Sequence, residues 1–231
     1  ANDITLDNAN DFMGAVSIAS GNNVILGDVN AIDLGASTIS GSLQAWVDGS
    51  ITESGPVVVA GILMSPQRAA RILVGIKDSK QLSAKQREQW FDFLTCHPHI
   101  RWTASRISPI VIDRINIYQA AQRGARHVYG KLAPEKNCHA MLDGSLHLPP
   151  PISHDTIIKG DELIPIISAA SIIAKVTRDR IMLRLHKKHP QYGFDLHKGY
   201  GTKLHRKMIR KFGRLEVHRE SFKFDRAHFS M

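Results

Sequence analysis

Two aspartates each follow a short apolar run, and their spacing is the feature of this chain most able to do chemistry. Asp143 comes directly after residues 138–142, and Asp161 follows residues 156–158 and a Lys-Gly dipeptide. Because carboxylates at the ends of neighbouring strands converge at one edge of a sheet, their hard oxygens can hold Mg²⁺ or Mn²⁺. Two such ions can activate a water and stabilise the leaving oxygen in phosphodiester hydrolysis. The simpler alternative for Asp143 is an ordinary Asp-Gly turn.

Several short sequence motifs occur before, at and after these aspartates. They read Gly-Ile-Lys-Asp-Ser-Lys-Gln-Leu-Ser at 75–83, Leu-Asp-Gly at 142–144, Ile-Ile-Lys-Gly-Asp at 157–161, Ile-Ser-Ala-Ala-Ser-Ile-Ile-Ala-Lys-Val-Thr-Arg-Asp at 167–179, Tyr-Gly-Phe at 192–194 and His-Lys-Gly-Tyr-Gly-Thr at 197–202. In this order the chain closely resembles bacterial ribonuclease HII, the type 2 ribonuclease H that cuts RNA in RNA–DNA hybrids. The resemblance implies a ribonuclease H-like fold, a Mn²⁺ or Mg²⁺ cofactor, and catalytic and metal-ligand roles for Asp143 and Asp161.

The loop at 197–202 combines polar donors with a tyrosine between glycines, which suits close approach to a sugar-phosphate strand. The resemblance implies that Tyr200 stacks on the sugar at the RNA–DNA junction; the alternative is a tyrosine that closes a small core. Lys198, Lys203 and Lys159 are the further candidates for substrate contact, although Lys159 could simply offset the neighbouring carboxylate. The helix expected after Thr202 carries seven basic residues, with Leu204, Met208 and Ile209 turned inward, and its positive face could track phosphates.

The resembled family carries an adjacent Asp-Glu at the end of its first strand, followed by Gly-Arg-Gly, and this chain has neither motif before Gly55. Asp48, at the end of Ala45-Trp46-Val47, is the candidate replacement for the first aspartate, and Glu53 is a weaker candidate metal ligand. The alternative is that residues 49–55 continue a repeat. Two carboxylates of four would hold metal poorly, because affinity follows the charge and number of ligands.

Charge divides the chain sharply. Residues 1–67 contain seven acidic residues and no Lys or Arg, whereas residues 68–231 hold all 30 basic residues and 14 acidic ones, a net charge of +16. A jump of that size indicates two segments of different origin. The basic segment points to a polyanionic partner, nucleic acid first, and the alternative is a solubilising surface charge.

The expected organisation is a β-rich, low-charge extension at 1–54 and a ribonuclease HII-like domain at 55–231 that ends in a basic helical part. Short apolar runs separated by Gly, Asn and Asp predict a β-solenoid or a meander for the extension, and their wording resembles filamentous-haemagglutinin-type adhesin repeats. A flexible polar extension is the alternative. One or two solenoid turns cannot bury their own face.

Strand and helix patterns alternate after Gly55, which predicts an α/β fold with a mixed sheet flanked by helices. Gly55–Leu63 and His99–Ile107 read as strands, and Ser83 with Gln86 forms a capping box for a helix from Ala84. Longer helices are expected over 112–132 and from Pro165. The second should bury the line Ile166, Ala170, Ile173, Thr177, Ile181 and Leu185, and the small residues 168–171 are interpreted as structural.

The sequence lacks the patterns that would indicate a cysteine metal site, a membrane span or secretion. Cys96 and Cys138 lack metal-site spacing, no run of about 18 apolar residues could span a membrane, and no secretory signal is expected. We therefore expect a cytoplasmic monomer that binds RNA–DNA hybrid and no membrane. Three functions compete: a metal-dependent endonuclease on hybrids, impaired by its altered first strand; a catalytically inactive hybrid-binding module; and an adhesin-related fragment.

Overall fold

The computed structural model describes residues 54–132 and 138–222, together with the backbone of three strands at 4–10, 24–28 and 43–47. The chain forms two compact units. The first comprises Ala1–Ser54 and His189–Gly213, and the second comprises Gly55–Lys188 and Arg214–Met231. The predicted division into 1–54 and 55–231 stays a prediction.

Three parallel strands lie in the first unit: β1 (Ile4–Asn10), β2 (Val24–Asp28) and β3 (Leu43–Val47). Their order is β1-β2-β3, and the register pairs Ile4 with Val24 and Val24 with Leu43, positions 20 and 19 residues apart. A meander would pair consecutive strands antiparallel, whereas successive solenoid turns stack their strands in parallel. Between those two alternatives, the pairing is the one that a solenoid makes.

Short helical elements make up the other described part of the first unit. They are a 3₁₀ turn (Pro190–Tyr192), a one-turn helix (Phe194–His197) and a basic helix (Lys203–Phe212). The basic helix begins at the N-cap Thr202, whose side chain accepts a hydrogen bond from the backbone N–H of His205 at 3.2 Å. Capping fixes its first turn directly after the 197–202 loop.

The second unit alternates strands and helices. Its elements are β4 (Val57–Leu63), α1 (Pro66–Ile72), α2 (Ala84–Cys96), β5 (Arg101–Ile107), α3 (Pro109–Leu132), β6 (Ala140–Asp143), β7 (His154–Ile157), α4 (Gly160–Leu163) and α5 (Pro165–Lys188). The predicted capping box of α2 is confirmed, since Ser83 and Gln86 exchange hydrogen bonds of 3.3 and 2.9 Å. Among the described residues, no helix is both long and apolar enough to cross a membrane.

Strand β4 lies between two long helices. It pairs antiparallel with β5 over seven residue pairs, from Val57–Ile107 to Leu63–Arg101. Helix α3 approaches it closely, because a Cβ on Gly124 would lie 2.6 Å from a Val59 methyl carbon. Ile172, Ile173 and Val176 of α5 form a buried cluster with partly buried Ala60 and Ile62 of β4. Strand β4 is thereby the centre of the second unit's core.

Two details of the long helices differ from the sequence prediction. Helix α3 begins at Pro109 and is interrupted at Asn116, where φ is 63°; the Asn116 side chain then accepts from the backbone N–H of Gln119 at 3.0 Å. In α5 the buried residues are Ile167, Ser168, Ala169, Ile172, Ile173, Val176 and Met182. Of the predicted apolar line, Ile173 is buried, Ile166 packs against the same cluster, and the remaining members are half-buried. The fully buried face is broader than predicted, because α5 packs on several elements at once.

The described strands form three small sheets rather than one mixed sheet. The pair that matters for chemistry is β6 and β7, which run parallel with Ala140 opposite His154 and Asp143 opposite Ile157. Parallel neighbours end at the same edge, so the segment that leaves β7 passes beside the end of β6.

Candidate active site

Asp143 is the last residue of β6, and it lies in the turn that its Asp-Gly dipeptide predicts. Gly144 has φ of +64°, and its N–H donates to the carbonyl of Ile157 at 3.0 Å. The Asp143 carboxylate also has a specific role, because its Oδ1 accepts the N–H of Gly160 at 2.9 Å. The turn and the carboxylate contact therefore coexist at this position.

The Lys159-Gly160-Asp161 segment curls around the Asp143 carboxylate. Lys159 adopts the left-handed conformation (φ 56°, ψ 36°) and caps α4. Asp161 is only 7% exposed. It was predicted at the end of a strand, but it lies in the first turn of α4, because the left-handed residue ends the extended chain and starts a helical turn. Asp161 still lies beside the Asp143 carboxylate, whose charged form the backbone N–H groups of Gly160, Asp161 and Gly144 favour.

The two carboxylates interact electrostatically. Burial raises the pKa of Asp143, the negative charge of Asp161 raises it further, and the backbone hydrogen bonds offset only part of both effects. A raised carboxyl pKa means that the charged form is costly in the free protein. A positive charge placed between the two groups would relieve that cost.

Lys80 supplies one positive charge at this pair, and the sequence reasoning missed it. Its Nζ lies 3.3 Å from Oδ2 of Asp161. Burial lowers the pKa of Lys80, but attraction to Asp161, their hydrogen bond, and the charges of Asp78 and Glu162 outweigh it, so the pKa lies above its usual value. Lys80 lies in the 75–83 motif that carries part of the family resemblance, but the sequence alone suggested no role for it.

Two serines of α5 fasten the segments that carry Asp161 and Lys80. The Ser168 hydroxyl donates to the carbonyl of Asp161 at 2.7 Å, and the Ser171 and Ser79 hydroxyls lie 3.0 Å apart. The small side chains of 168–171 therefore permit close packing, and their hydroxyls also hold the candidate site together.

Lys159 is exposed, and Lys80 rather than Lys159 lies within ion-pair distance of Asp161. The role of Lys159 in substrate contact stays a prediction. Asp48 and Glu53 lie outside the described residues. Within residues 54–132 and 138–222, no group of three or more His, Cys, Asp or Glu side chains is arranged to hold a metal ion.

Tyr200, Lys198 and Lys203 belong to the first unit, whose described helical part has its own aromatic core. Tyr192 and Phe194 stack at 5.5 Å, and the buried rings of His197 and His205 stack at 4.2 Å. Tyr192 and Phe194 thus fill this core, while Tyr200 is half-buried.

The backbone around Tyr200 is held closely. Its N–H donates to the carbonyl of His197 at 2.8 Å, and its carbonyl lies 2.9 Å from Nδ1 of His205. His197 is buried, which lowers its pKa and favours the neutral ring. A neutral ring fits its contacts with the Tyr192 carbonyl at 2.8 Å and the Gly199 N–H at 3.1 Å.

The basic helix exposes most of its charges. Lys203, Lys207, Arg210 and Lys211 are exposed, and Ile209 is buried as expected. Two assignments were reversed: His205 is fully buried, whereas Leu204 is 39% exposed. The reversal follows from the stacking of His205 on His197, a contact that helical spacing does not show.

A family model described as Ribonuclease HII matches residues 49–230. The chain belongs to the ribonuclease HII family. Ribonuclease HII from Burkholderia thailandensis is 42% identical over 178 residues, which cover 77% of this chain and 81% of that protein. In the solved PCNA–ribonuclease HII complex from Archaeoglobus fulgidus, the matching chain gives a TM-score of 0.62 at 26% identity, covering 75% of this chain and 91% of that one.

The structure of Bst ribonuclease HIII in complex with Mn²⁺ gives a TM-score of 0.58 at 19% identity, covering 75% of this chain and 64% of that one. Such identity shows a likeness of fold. Together the structural matches confirm the predicted α/β, ribonuclease H-like fold.

A second family model, of repeats of unknown function, matches residues 1–19 and 21–64. It overlaps the ribonuclease HII match over 49–64. The ribonuclease HII match begins directly after Asp48, so Asp48 itself lies outside it.

Proposed function

We propose that this ribonuclease HII relative is a metal-dependent endonuclease that hydrolyses the RNA strand of RNA–DNA hybrids. The carrying observation is the pair of interacting carboxylates formed by Asp143, at the end of β6, and Asp161, in the helical turn that follows β7. Family membership supports ribonuclease chemistry, and the basic character of residues 68–231 supports a nucleic-acid substrate.

The residues at this edge suit a hard divalent cation, Mn²⁺ or Mg²⁺. Their donors are carboxylate oxygens. Burial and the charge of Asp161 raise the pKa of Asp143, so a cation at the pair would stabilise its charged form. Asp143 and Asp161 would hold the ion. When bound, a pair of such ions supplies an activated water and charge stabilisation at the leaving oxygen.

The protein's own groups would position the reacting parts. The N–H of Gly160 orients the Asp143 carboxylate, and the Ser168 hydroxyl fixes the backbone at Asp161. Tyr200 is proposed to stack on the sugar at the RNA–DNA junction, with Lys198, Lys203 and Lys159 at the phosphates. Recognition of RNA requires contact with the ribose 2′-hydroxyl, which distinguishes RNA from DNA.

The test combines hybrid cleavage with metal binding. In the presence of MnCl₂, the unmodified chain should cut a labelled RNA–DNA hybrid and leave duplex DNA intact. Asp143→Asn keeps the side-chain shape but removes the charge, so cleavage should fall by about 100-fold or more while thermal unfolding changes little.

Glu216→Gln is the matched control, because it removes one exposed carboxylate that lies outside β6, β7 and α4 in the chain. Its cleavage rate should equal that of the unmodified chain. An active Asp143→Asn protein would show that Asp143 has only a structural role in its turn.

A second candidate, a hybrid-binding module without cleavage, is favoured by one observation. Within the described residues the site offers two carboxylates, and one of them is already paired with Lys80. This candidate predicts hybrid binding that is unaffected by Mn²⁺ and no cleavage at any metal concentration.

A further inference from the structure

Lys80 is presented by a turn that is anchored on both sides. The N–H of Gln81 donates to the carbonyl of Asp78 at 3.0 Å and closes the turn. Asp78 and Ser79 are buried, at 4% and 5% exposure. Ser79 contacts Ser171 of α5, and its carbonyl accepts from Arg87 of α2 at 3.0 Å. Because the turn is fixed to two helices, the backbone of Lys80 has a defined position.

The turn positions the Lys80 ammonium beside the carboxylate of Asp161. The Asp161 side chain is 10% exposed, whereas the Lys80 side chain is 75% exposed. The ammonium group therefore covers the open side of a nearly buried carboxylate. Its own four-carbon stem remains free to swing into solvent.

We propose that Lys80 is the resident counter-cation of Asp161 in the metal-free protein and that a divalent ion must displace it to bind at Asp143 and Asp161. This inference rests on the proposed function, since it concerns the same metal site. Competition between Lys80 and the divalent ion for Asp161 would then raise the metal concentration that is needed to occupy the site.

A divalent ion and the Lys80 ammonium would compete for the open side of the Asp161 carboxylate, because that side chain is only 10% exposed. A bound Mg²⁺ or Ca²⁺-sized ion sits about 2.0–2.6 Å from a ligand oxygen. An ammonium group that stays 3.3 Å from Oδ2 on the same open side would then lie close to that ion. Like charges at such separation repel strongly, and water screens them only in part. The exposed lysine, rather than the bound ion, is the partner that can leave.

The expected effect on affinity is moderate. Because the ammonium is largely exposed, its attraction to Asp161 is screened, and loss of Lys80 should tighten Mn²⁺ binding by about three- to tenfold. Exchange of Lys80 for arginine keeps the competing charge and should leave the affinity within about twofold of the original.

The experiment is a calorimetric titration of the full chain with MnCl₂. Lys80→Met should lower the dissociation constant by about three- to tenfold. The matched control is Lys77→Met, which removes the same charge from an exposed position of the same loop and should change nothing. Equal Mn²⁺ affinity of the Lys80→Met and unmodified chains overturns the competitor role alone. Absence of Mn²⁺ binding to both overturns the proposed metal site together with it.

A second measurement uses the unmodified chain and does not depend on how the variant folds. Crystals grown without metal should show Nζ of Lys80 within hydrogen-bonding distance of Asp161. Crystals with Mn²⁺ bound at Asp143 and Asp161 should show the ammonium more than about 4 Å from that carboxylate. A lysine that keeps its contact beside the bound ion overturns the proposal.

Discussion

Gly160 lies between Lys159 and Asp161, and its missing side chain lets the backbone reach the Asp143 carboxylate. A Cβ at this position would lie 2.7 Å from Cδ1 of Ile167 and 3.4 Å from Oδ1 of Asp143. Ile167 is 6% exposed and has little room to retreat. The hydrogen bond that orients Asp143 therefore depends on a glycine whose backbone φ is not itself unusual.

Gly160→Ala should destabilise the protein by about 1–2 kcal/mol through overpacking against Ile167. It should also lower hybrid cleavage, because the N–H that orients Asp143 moves. Urea denaturation measures the first effect and initial cleavage rates the second. Adding Ile167→Val removes the clashing Cδ1 and should restore part of both.

Gly130→Ala is the matched control. Apart from the local backbone of α3 and the two neighbouring residues, a Cβ built on Gly130 would meet no described atom within 4 Å, so alanine should stabilise this helix by about 0.5–1 kcal/mol. If both alanine variants shift stability in the same direction, the close packing at Gly160 does not constrain the site.

At the scale of elements, the chain after the basic helix returns to the start of β4 and to α3. The Arg219 side chain is 1% exposed and donates through Nε and Nη2 to the carbonyl of Gly55 at 3.2 and 3.1 Å. Asp113 of α3 accepts from the N–H groups of Glu220 and Ser221 at 2.9 Å and from the Ser221 hydroxyl at 2.6 Å. These bonds fix residues 219–221 to the second unit's core.

Asp113→Asn should cost about 1 kcal/mol of stability at pH 7, because these largely exposed bonds lose the carboxylate charge that strengthens them. Burial raises the pKa of Asp113, but the hydrogen bonds from Ser221 and Glu220 and the charge of Arg219 outweigh it, so the pKa is lowered. A lowered carboxyl pKa stabilises above the unfolded value of about 3.9, and that contribution is lost as the pH falls through the folded value.

Urea denaturation at several pH values measures this contribution. The gap in stability between the unmodified chain and Asp113→Asn should be full at neutral pH, begin to narrow near about pH 4, and be lost once the pH falls below the lowered pKa of Asp113. Glu216→Gln, an exposed change in the same returning segment, should show no such gap. A gap that persists in acid would mean that Asp113 acts through shape and not through charge.

At the scale of the whole molecule, positive charge is confined to residues 68–231, with the basic helix among its densest parts. We expect hybrid affinity to fall steeply between about 50 and about 200 mM salt, because phosphate contacts release counterions. Removing Lys203, Lys207 and Lys211 together should weaken binding and reduce the salt slope by about 0.9 per lost phosphate contact. Fluorescence anisotropy with the Asp143→Asn chain measures both without cleavage.

The control variant removes Lys85, Lys131 and Lys188, which are also exposed and change the net charge by the same amount. Equal salt slopes for the two triple variants would show that the basic helix has no privileged contact with the hybrid.

The altered segment before Gly55 provides a further prediction for the whole chain. Replacing residues 48–54 with a family-like segment bearing Asp-Glu and Gly-Arg-Gly should raise hybrid cleavage by orders of magnitude, because it adds two carboxylates to the metal site. The same graft with Asn-Gln should stay at the original rate. If the carboxylate graft gives no gain, Asp48→Asn in the original chain separates the causes: lost activity shows that Asp48 already serves as a ligand.

Local sequence patterns determined a large part of this protein. The Ser83–Gln86 capping box, strands β4 and β5, and the helix from Pro165 could all be read directly, since caps and side-chain periods act over a few residues. The order of the motifs indicated the family. The neighbouring apolar runs correctly predicted that Asp143 lies beside the segment that leaves the next strand, although Asp161 itself lies in α4.

Tertiary packing decided the rest. Lys80 precedes Asp161 by 81 residues, and their contact exists because Ser79 and Ser171, 92 residues apart, join a loop to α5. Likewise, the buried face of α5 and the inward turn of His205 depend on which elements pack against them. The hydrophobic period of a sequence shows which faces a helix has. Which of those faces becomes buried depends on the elements that pack against the helix.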